Sequence, residues 1–276
     1  MESADQNIEN SQTATPVGGP ILLTELTSPG FATILPQLEA VLIPIGAHEQ
    51  HGPALPVSTD TLTAQVLSAL TATLLAPRVA IAPAIPWGVS WHHMGFPGTI
   101  TLSEETLTSV VMDVVGSLHL HGIDRFVLVN IHGGNNAALQ IAAERCHREL
   151  GVPVVASVFA YSYIAEAATE ELGPASVGHG GGDESAVILA IRPELVERSL
   201  LGVRPLNDEV RGVQGLVRAT GGVLPVAQQV TSESGASGDS TNSTSEIGAV
   251  ILGKAASNLR AVVEAILDLD PATIRS

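Results

Sequence analysis

Apolar positions in this chain fall into short unbroken runs, separated by longer stretches with helical spacing. Ala40–Ile45 is such a run; it ends at Gly46 and reads as a buried strand. The segments 79–85, 125–130 and 152–158 are of the same kind. Between the first two, 61–76 predicts a helix, with Leu62, Val66, Leu67, Leu70 and Leu74 facing inward and Thr63, Thr71 and Thr73 off that face. Ser103, followed by Glu104 and Glu105, predicts a capped helix start, and that helix runs to His121 and stops at Gly122. Further helices are predicted up to Leu150, over 161–172, and from the Gly180-Gly181-Gly182 turn through Ile191, where Pro193 ends it. A short helix begins at Ser28-Pro29 within 22–38. A long one covers 243–269 with Val250, Ile251, Leu259, Val262, Val263 and Ile266 on one face. Residues 200–243 lack periodicity and read as loops with at most a short hairpin.

This alternation of strand and helix predicts an α/β fold whose mostly parallel central sheet is covered on both faces. With no repeat and no break in composition, 21–270 reads as a single domain, and 1–20, polar and aperiodic, as a disordered N-terminal tail.

Composition narrows the class. Aromatic residues make up only 3 % of the chain against 45 % hydrophobic, so the core must be built from Ala, Val, Leu and Ile. The net charge of −16 opposes binding to nucleic-acid phosphates and to anionic lipid, so neither nucleic acid nor membrane is an expected partner. The most apolar stretch, 61–77, carries four threonines, a glutamine and a serine, and reads as a soluble helix. The start of the chain lacks a basic, apolar export signal, which makes the cytoplasm the expected location. The lone Cys146 reads as packing.

The candidate chemistry follows the strands. Glu49, His51 and Asp60 come after the first, on what reads as a Pro- and Gly-constrained loop. His92 and His93 follow the second, His132-Gly133-Gly134-Asn135 the third, and His179 and Glu184 the fourth strand and its helix. Ligands bind at the carboxyl ends of strands in open α/β sheets, so these clusters are expected to converge on one edge. Carboxylates and imidazoles are ligands for a divalent metal, and they suit Zn, Mn and Fe(II) alike. No phosphate-binding loop, dinucleotide fingerprint, Cys-based zinc site or Gly-x-Ser-x-Gly elbow is present. His48 has the wrong parity for the Glu49 side and reads as structural; His119 and His121 close a helix, and His147 reads as surface.

Four segments in order carry a resemblance: 46–53 with Asp60-Thr61, Phe96-Pro97-Gly98-Thr99, 130–135, and His179 with Glu184-Ser185. On these the chain resembles the creatininase (creatinine amidohydrolase) family. The resemblance implies a three-layer α/β/α fold, a site for two divalent metal ions (Zn, Mn or Fe) per subunit, and a hexamer. It implies that Glu49 and His132 hold one ion and His51 the other, with Asp60 bridging and Glu184 as fifth ligand. His179 would bind substrate or transfer a proton, so His179 and Glu184 are the catalytic candidates, and Trp91, His93, Gly133 and His179 the substrate-binding ones. Two departures bear on this. Gly133-Gly134 stand where creatininases proper carry Tyr-Glu, so Glu184 must compensate for a missing ligand. Ala175 stands where they carry a stacking tryptophan, which counts against creatinine itself and leaves Trp87 or Trp91 as the aromatic wall. Asp183 is a further acid, expected either behind the ligands or simply at a helix N-terminus.

The implied activity is metal-dependent hydrolysis of a C–N bond in a small, possibly cyclic, amide by a metal-bridging hydroxide. The alternatives are a formamide deformylase or short-peptide hydrolase in cofactor biosynthesis and, from another class, a non-catalytic metal-binding assembly subunit.

Overall fold

The computed structural model describes residues 19–274. Five parallel strands form one sheet: β1 (Ile21–Leu22), β2 (Ala40–Ile45), β3 (Val79–Ile81), β4 (Arg125–Asn130) and β5 (Val154–Phe159), in the spatial order β1-β3-β2-β4-β5. The helices are α1 (Ser28–Ile34), α2 (Thr59–Leu75), α3 (Glu104–Leu120), α4 (Asn136–Leu150), α5 (Tyr161–Leu172), α6 (Gly182–Ile191), α7 (Asp208–Arg218), α8 (Gln228–Thr231), α9 (Ser245–Leu267) and α10 (Pro271–Ile274).

The period-two alternation of the central strands builds three layers. Ala40 and Leu42 of β2, with Val127 and Val129 of β4, pack under α2, α5, α6 and α9. Val41, Ile43 and Ile45, with Phe126 and Leu128, pack under α3 and α4. Ile45 and Asn130 are in register at the ends of β2 and β4. The loops leaving these two strands therefore start side by side. Ser103 Oγ caps α3 by accepting from Thr106 N, and Thr244 caps α9 the same way through Ile247 N.

Several sequence expectations need correction. Asp60 is not on a loop: α2 begins at Thr59, so Asp60 lies in its first turn. The inward face of α2 is Thr63, Ala64, Leu67, Ser68, Thr71, Ala72 and Leu75, whereas Leu70 and Leu74 are 39 % and 51 % exposed. α2 packs between the sheet and α9, where small side chains allow close approach. The Thr71 hydroxyl is satisfied locally by donating to the Leu67 carbonyl at 2.8 Å. In α9, Ile251, Leu259 and Val263 are buried as expected, but Val250 faces out. The region 200–243 holds no hairpin; it contains α7 and α8. The second strand ends at Ile81, since Pro83 cannot donate to a ladder, and only Ile85 rejoins β2 through a bridge to Ile45. β5 starts at Val154, after Pro153, and β1 is an edge strand that the pattern did not announce. Among the described residues no helix is long and apolar enough to cross a membrane.

Candidate metal centre

Glu49, His51, Asp60, His132 and Glu184, scattered in sequence, meet in the buried space beyond the carboxyl ends of β2 and β4. Glu49 and His51 come from the loop after β2, Asp60 from the first turn of α2, His132 from the turn after β4, and Glu184 from the first turn of α6. His51 Nε2 lies 3.2 Å from Asp60 Oδ1 and 3.7 Å from Glu184 Oε2. His132 Nδ1 lies 3.2 Å from Glu49 Oε1 and 3.3 Å from Asp60 Oδ2. Asp60 thus spans the two histidines, one oxygen to each.

The backbone fixes which nitrogen each histidine offers. His51 donates from Nδ1 to the Glu49 carbonyl at 3.0 Å, and His132 donates from Nε2 to the Val89 carbonyl at 2.9 Å, because a carbonyl can only accept. The inward nitrogens, His51 Nε2 and His132 Nδ1, keep lone pairs for a ligand, the arrangement expected around a metal. The turn carrying His132 is itself tied down. Asn130 Nδ2 donates to the His132 carbonyl, and Asn135 bridges the Gly46 carbonyl and the Val89 amide.

Electrostatics point the same way. Glu49 Oε2 is buried with no hydrogen-bond donor, and buried Asp60 Oδ2 faces the His132 ring nitrogen at 3.3 Å. Burial opposes ionisation of both, yet the charges of His132 and His51 hold Glu49 and Asp60 well below the usual carboxylate range. Burial likewise opposes charge on His51, but Asp60 and Glu184 overcome it and push His51 up to about 10. His132 is also raised, against burial, by Glu49 and Asp60. Burial pushes Glu184 up to about 8. The protons on this cluster occupy places a cation would take, and the orphaned Glu49 Oε2 is unexplained by protons alone. The residue set therefore fits divalent metal.

Around these five stand His93, His179 and His92. His93 Nε2 is 3.5 Å and His179 Nδ1 3.7 Å from Glu49 Oε1, and the His179 ring lies 4.2 Å from those of both His51 and His93. His92 stacks on His132 at 5.5 Å. Trp91 begins the turn that carries His92 and His93 and is 61 % exposed; Trp87 is also exposed. Gly133 is exposed at the start of the His132 turn, and Ala175 is exposed on the turn before His179. Asp183 does more than sit at a helix N-terminus: it is fully buried and accepts from the Tyr161 hydroxyl at 2.6 Å, with burial pushing its carboxyl up to about 6. His48 turns its backbone carbonyl to Ile100 N.

Sequence reasoning overlooked Gln50, which is buried between the two ligand-bearing residues, and the 232–240 segment that closes over it. The only signal was its place between Glu49 and His51.

A three-layer α/β/α fold with a carboxylate–imidazole cluster at the carboxyl edge of its sheet defines the class, and the comparisons give the family. The creatininase family profile, described as creatinine amidohydrolase, matches residues 24–263. The chain belongs to the creatininase family of hydrolases. It is 33 % identical to a mycofactocin precursor peptide peptidase of Mycobacterium ulcerans (strain Agy99) over 170 residues, 57 % of this chain and 60 % of that protein. It is 29 % identical to a creatinine amidohydrolase of Pseudomonas putida over 175 residues, 57 % and 66 % of the two chains. The solved structure titled "Creatininase Mn" superposes with a TM-score of 0.76 at 23 % identity, covering 91 % of this chain and all of that one, which bears on the fold.

Proposed function

We propose that this protein is a dinuclear metal-dependent amidohydrolase. Glu49, His132 and Asp60 hold one divalent ion, and His51, Asp60 and Glu184 the other. The observation that carries this is Glu49 Oε2, buried with no hydrogen-bond donor, in a cluster where two inward-facing imidazole nitrogens meet three buried carboxylates. Three buried carboxylates carry more negative charge than one divalent ion neutralises, which favours two. Zn, Mn or Fe(II) suits this mixed donor set. When bound, such ions lower the pKa of water and polarise a carbonyl.

The chain's own residues then orient and exchange protons. His179 Nδ1 faces the ligand cluster and is the candidate to take a proton from the attacking water and pass it to the leaving nitrogen. His93 Nε2 faces the same side and is the candidate donor to the substrate oxygen. Trp91 and Gly133 form the outer wall against which the substrate lies. Trp87, Trp91, Met94 and Ile100 are exposed apolar residues on the same loop as His92 and His93, and they offer apolar contacts to a substrate larger than creatinine. With Ala175 in the place of the stacking tryptophan and the likeness to a peptidase, these residues favour a short peptide or a substituted amide. Exposed Val213 and Leu216 on α7 fit a homo-oligomeric assembly.

The test is metal content per chain, by elemental analysis, of wild type and Glu184→Ala purified without chelator. A panel of cyclic amides, formamides and short peptides follows. About two ions in wild type, a clear loss in the variant and turnover of a panel member are expected. One ion or none, unchanged by added Zn or Mn, would refute the dinuclear reading. Two ions with no turnover would favour a metal-binding assembly role.

A further inference from the structure

Gln50 has a side chain whose orientation is decided by the backbone. Gly52 N, which can only donate, is 2.8 Å from Gln50 Oε1, and the Gly235 carbonyl, which can only accept, is 3.3 Å from Gln50 Nε2. The amide nitrogen therefore points at His93 Nδ1, 2.6 Å away, and donates to it. His93 Nδ1 must then be the bare nitrogen and Nε2 must carry the proton, directed at Glu49 Oε1. The backbone of the same residue sets a second ring: the Gln50 carbonyl is 2.5 Å from His179 Nε2, so His179 donates there and turns a bare Nδ1 toward the site. Gly235 holds the amide in place. It has φ +81°, and a Cβ on it would collide with the Gln50 side-chain amide.

We infer that Gln50 is a positioning residue: its side-chain amide keeps His93 as the Nε2–H tautomer, so that His93 presents a hydrogen-bond donor to the metal centre and not a ligand lone pair. Glu49, His93 and His179 are close enough together to hold an ion of their own, and this lock excludes His93 from doing so. The inference deepens the hydrolase reading and names a role for a residue that touches neither substrate nor metal.

The experiment uses 15N-histidine-labelled full-length protein, both EDTA-treated and zinc-loaded. Two-bond proton–nitrogen correlations distinguish the Nε2–H from the Nδ1–H ring, and His93→Gln assigns the His93 signals. Wild type should show His93 protonated at Nε2 in both states. Gln50→Met should lose that preference, and Gly235→Ala, which displaces the amide without changing residue 50, should do the same even if Gln50→Met does not fold. The double variant should lose no more than either alone. On a panel amide that is turned over, kcat should fall at least about tenfold with KM little changed. A wild-type His93 protonated at Nδ1, or an Nε2–H preference kept in both variants, would overturn the inference. The expected tautomers without any amide turnover would leave the lock standing and remove the hydrolase reading.

Discussion

At the proposed metal centre, protons and metal would compete for the same lone pairs, and that competition predicts a steep pH dependence of metal uptake. In the metal-free site His51 is raised to about 10 and Glu184 to about 8, both being buried. A metal displaces both protons. The sign follows: below pH 8 the metal-free site holds at least two protons that the loaded site lacks, and between 8 and 10 at least one. Apparent affinity should therefore rise with pH, by about a hundredfold per unit below pH 8 and about tenfold per unit from there to 10. pH 7 lies three units and one unit below the two pKa values, which opposes metal binding by roughly 5.5 kcal/mol at about 1.4 kcal/mol per unit. His132, also raised, can only steepen the slope. The assay is competition for Zn against a chromophoric chelator at several pH values from 6 to 9, corrected for the chelator's own protonation. Calorimetry in buffers of differing ionisation enthalpy then counts the protons released. An affinity that changes less than about tenfold per unit between pH 6 and 8 would refute the reasoning, because it would mean the ligands are not protonated in the empty site.

Other outcomes are open to direct measurement. Gly248→Ala should destabilise the fold by about 3 kcal/mol or more, since its Cβ would fall on the Ala186 carbonyl oxygen; denaturant unfolding within about 0.5 kcal/mol of wild type would contradict the close helix contact. Leu67→Ala should cost about 2–5 kcal/mol and Leu74→Ala under about 1, and equal losses would restore the leucine face of α2 that the structure rejects. Asp183→Asn should lower stability by about 1–3 kcal/mol, as a carboxylate accepting from Tyr161 is replaced; an unchanged unfolding midpoint would mean that this bond contributes nothing. Trp91→Ala should leave metal content intact and raise KM for peptides more than for small formamides, and equal KM values would remove Trp91 from the substrate wall.

Most of the layered fold was legible because the central strands are continuous apolar runs buried on both faces, which few other structures tolerate. The gathering of the candidate ligand residues was legible because each carboxylate or imidazole follows a strand or opens a helix beside glycine or proline. α2 was misread because hydrophobicity counts favour Leu70 and Leu74, while close packing against α9 selects Ala64, Ser68 and Thr71, whose size matters more than their polarity. Asp60 was assigned to a loop because Pro53 and Pro56 mask the helix start three residues after the second of them. Gln50 was illegible for a different reason. Its partners His179 and Gly235 lie 129 and 185 positions away, and no local pattern encodes a hydrogen bond of that span.

The contact between α6 and α9 has a consequence for how the protein is made. α6 carries Glu184, and it is held by a glycine-to-backbone approach at Gly248, on a helix that is translated late. While the ribosome is still adding residues beyond 184, the growing chain already contains every candidate ligand, but the helix bearing the last of them has α2 and α5 beside it and not yet α9, its main neighbour. Docking of α9 completes the packing that fixes α6 and Glu184 in place. The proposed centre is thus expected to reach its final geometry only once α9 is in place, so its affinity for metal depends on a helix that supplies none of its candidate ligands.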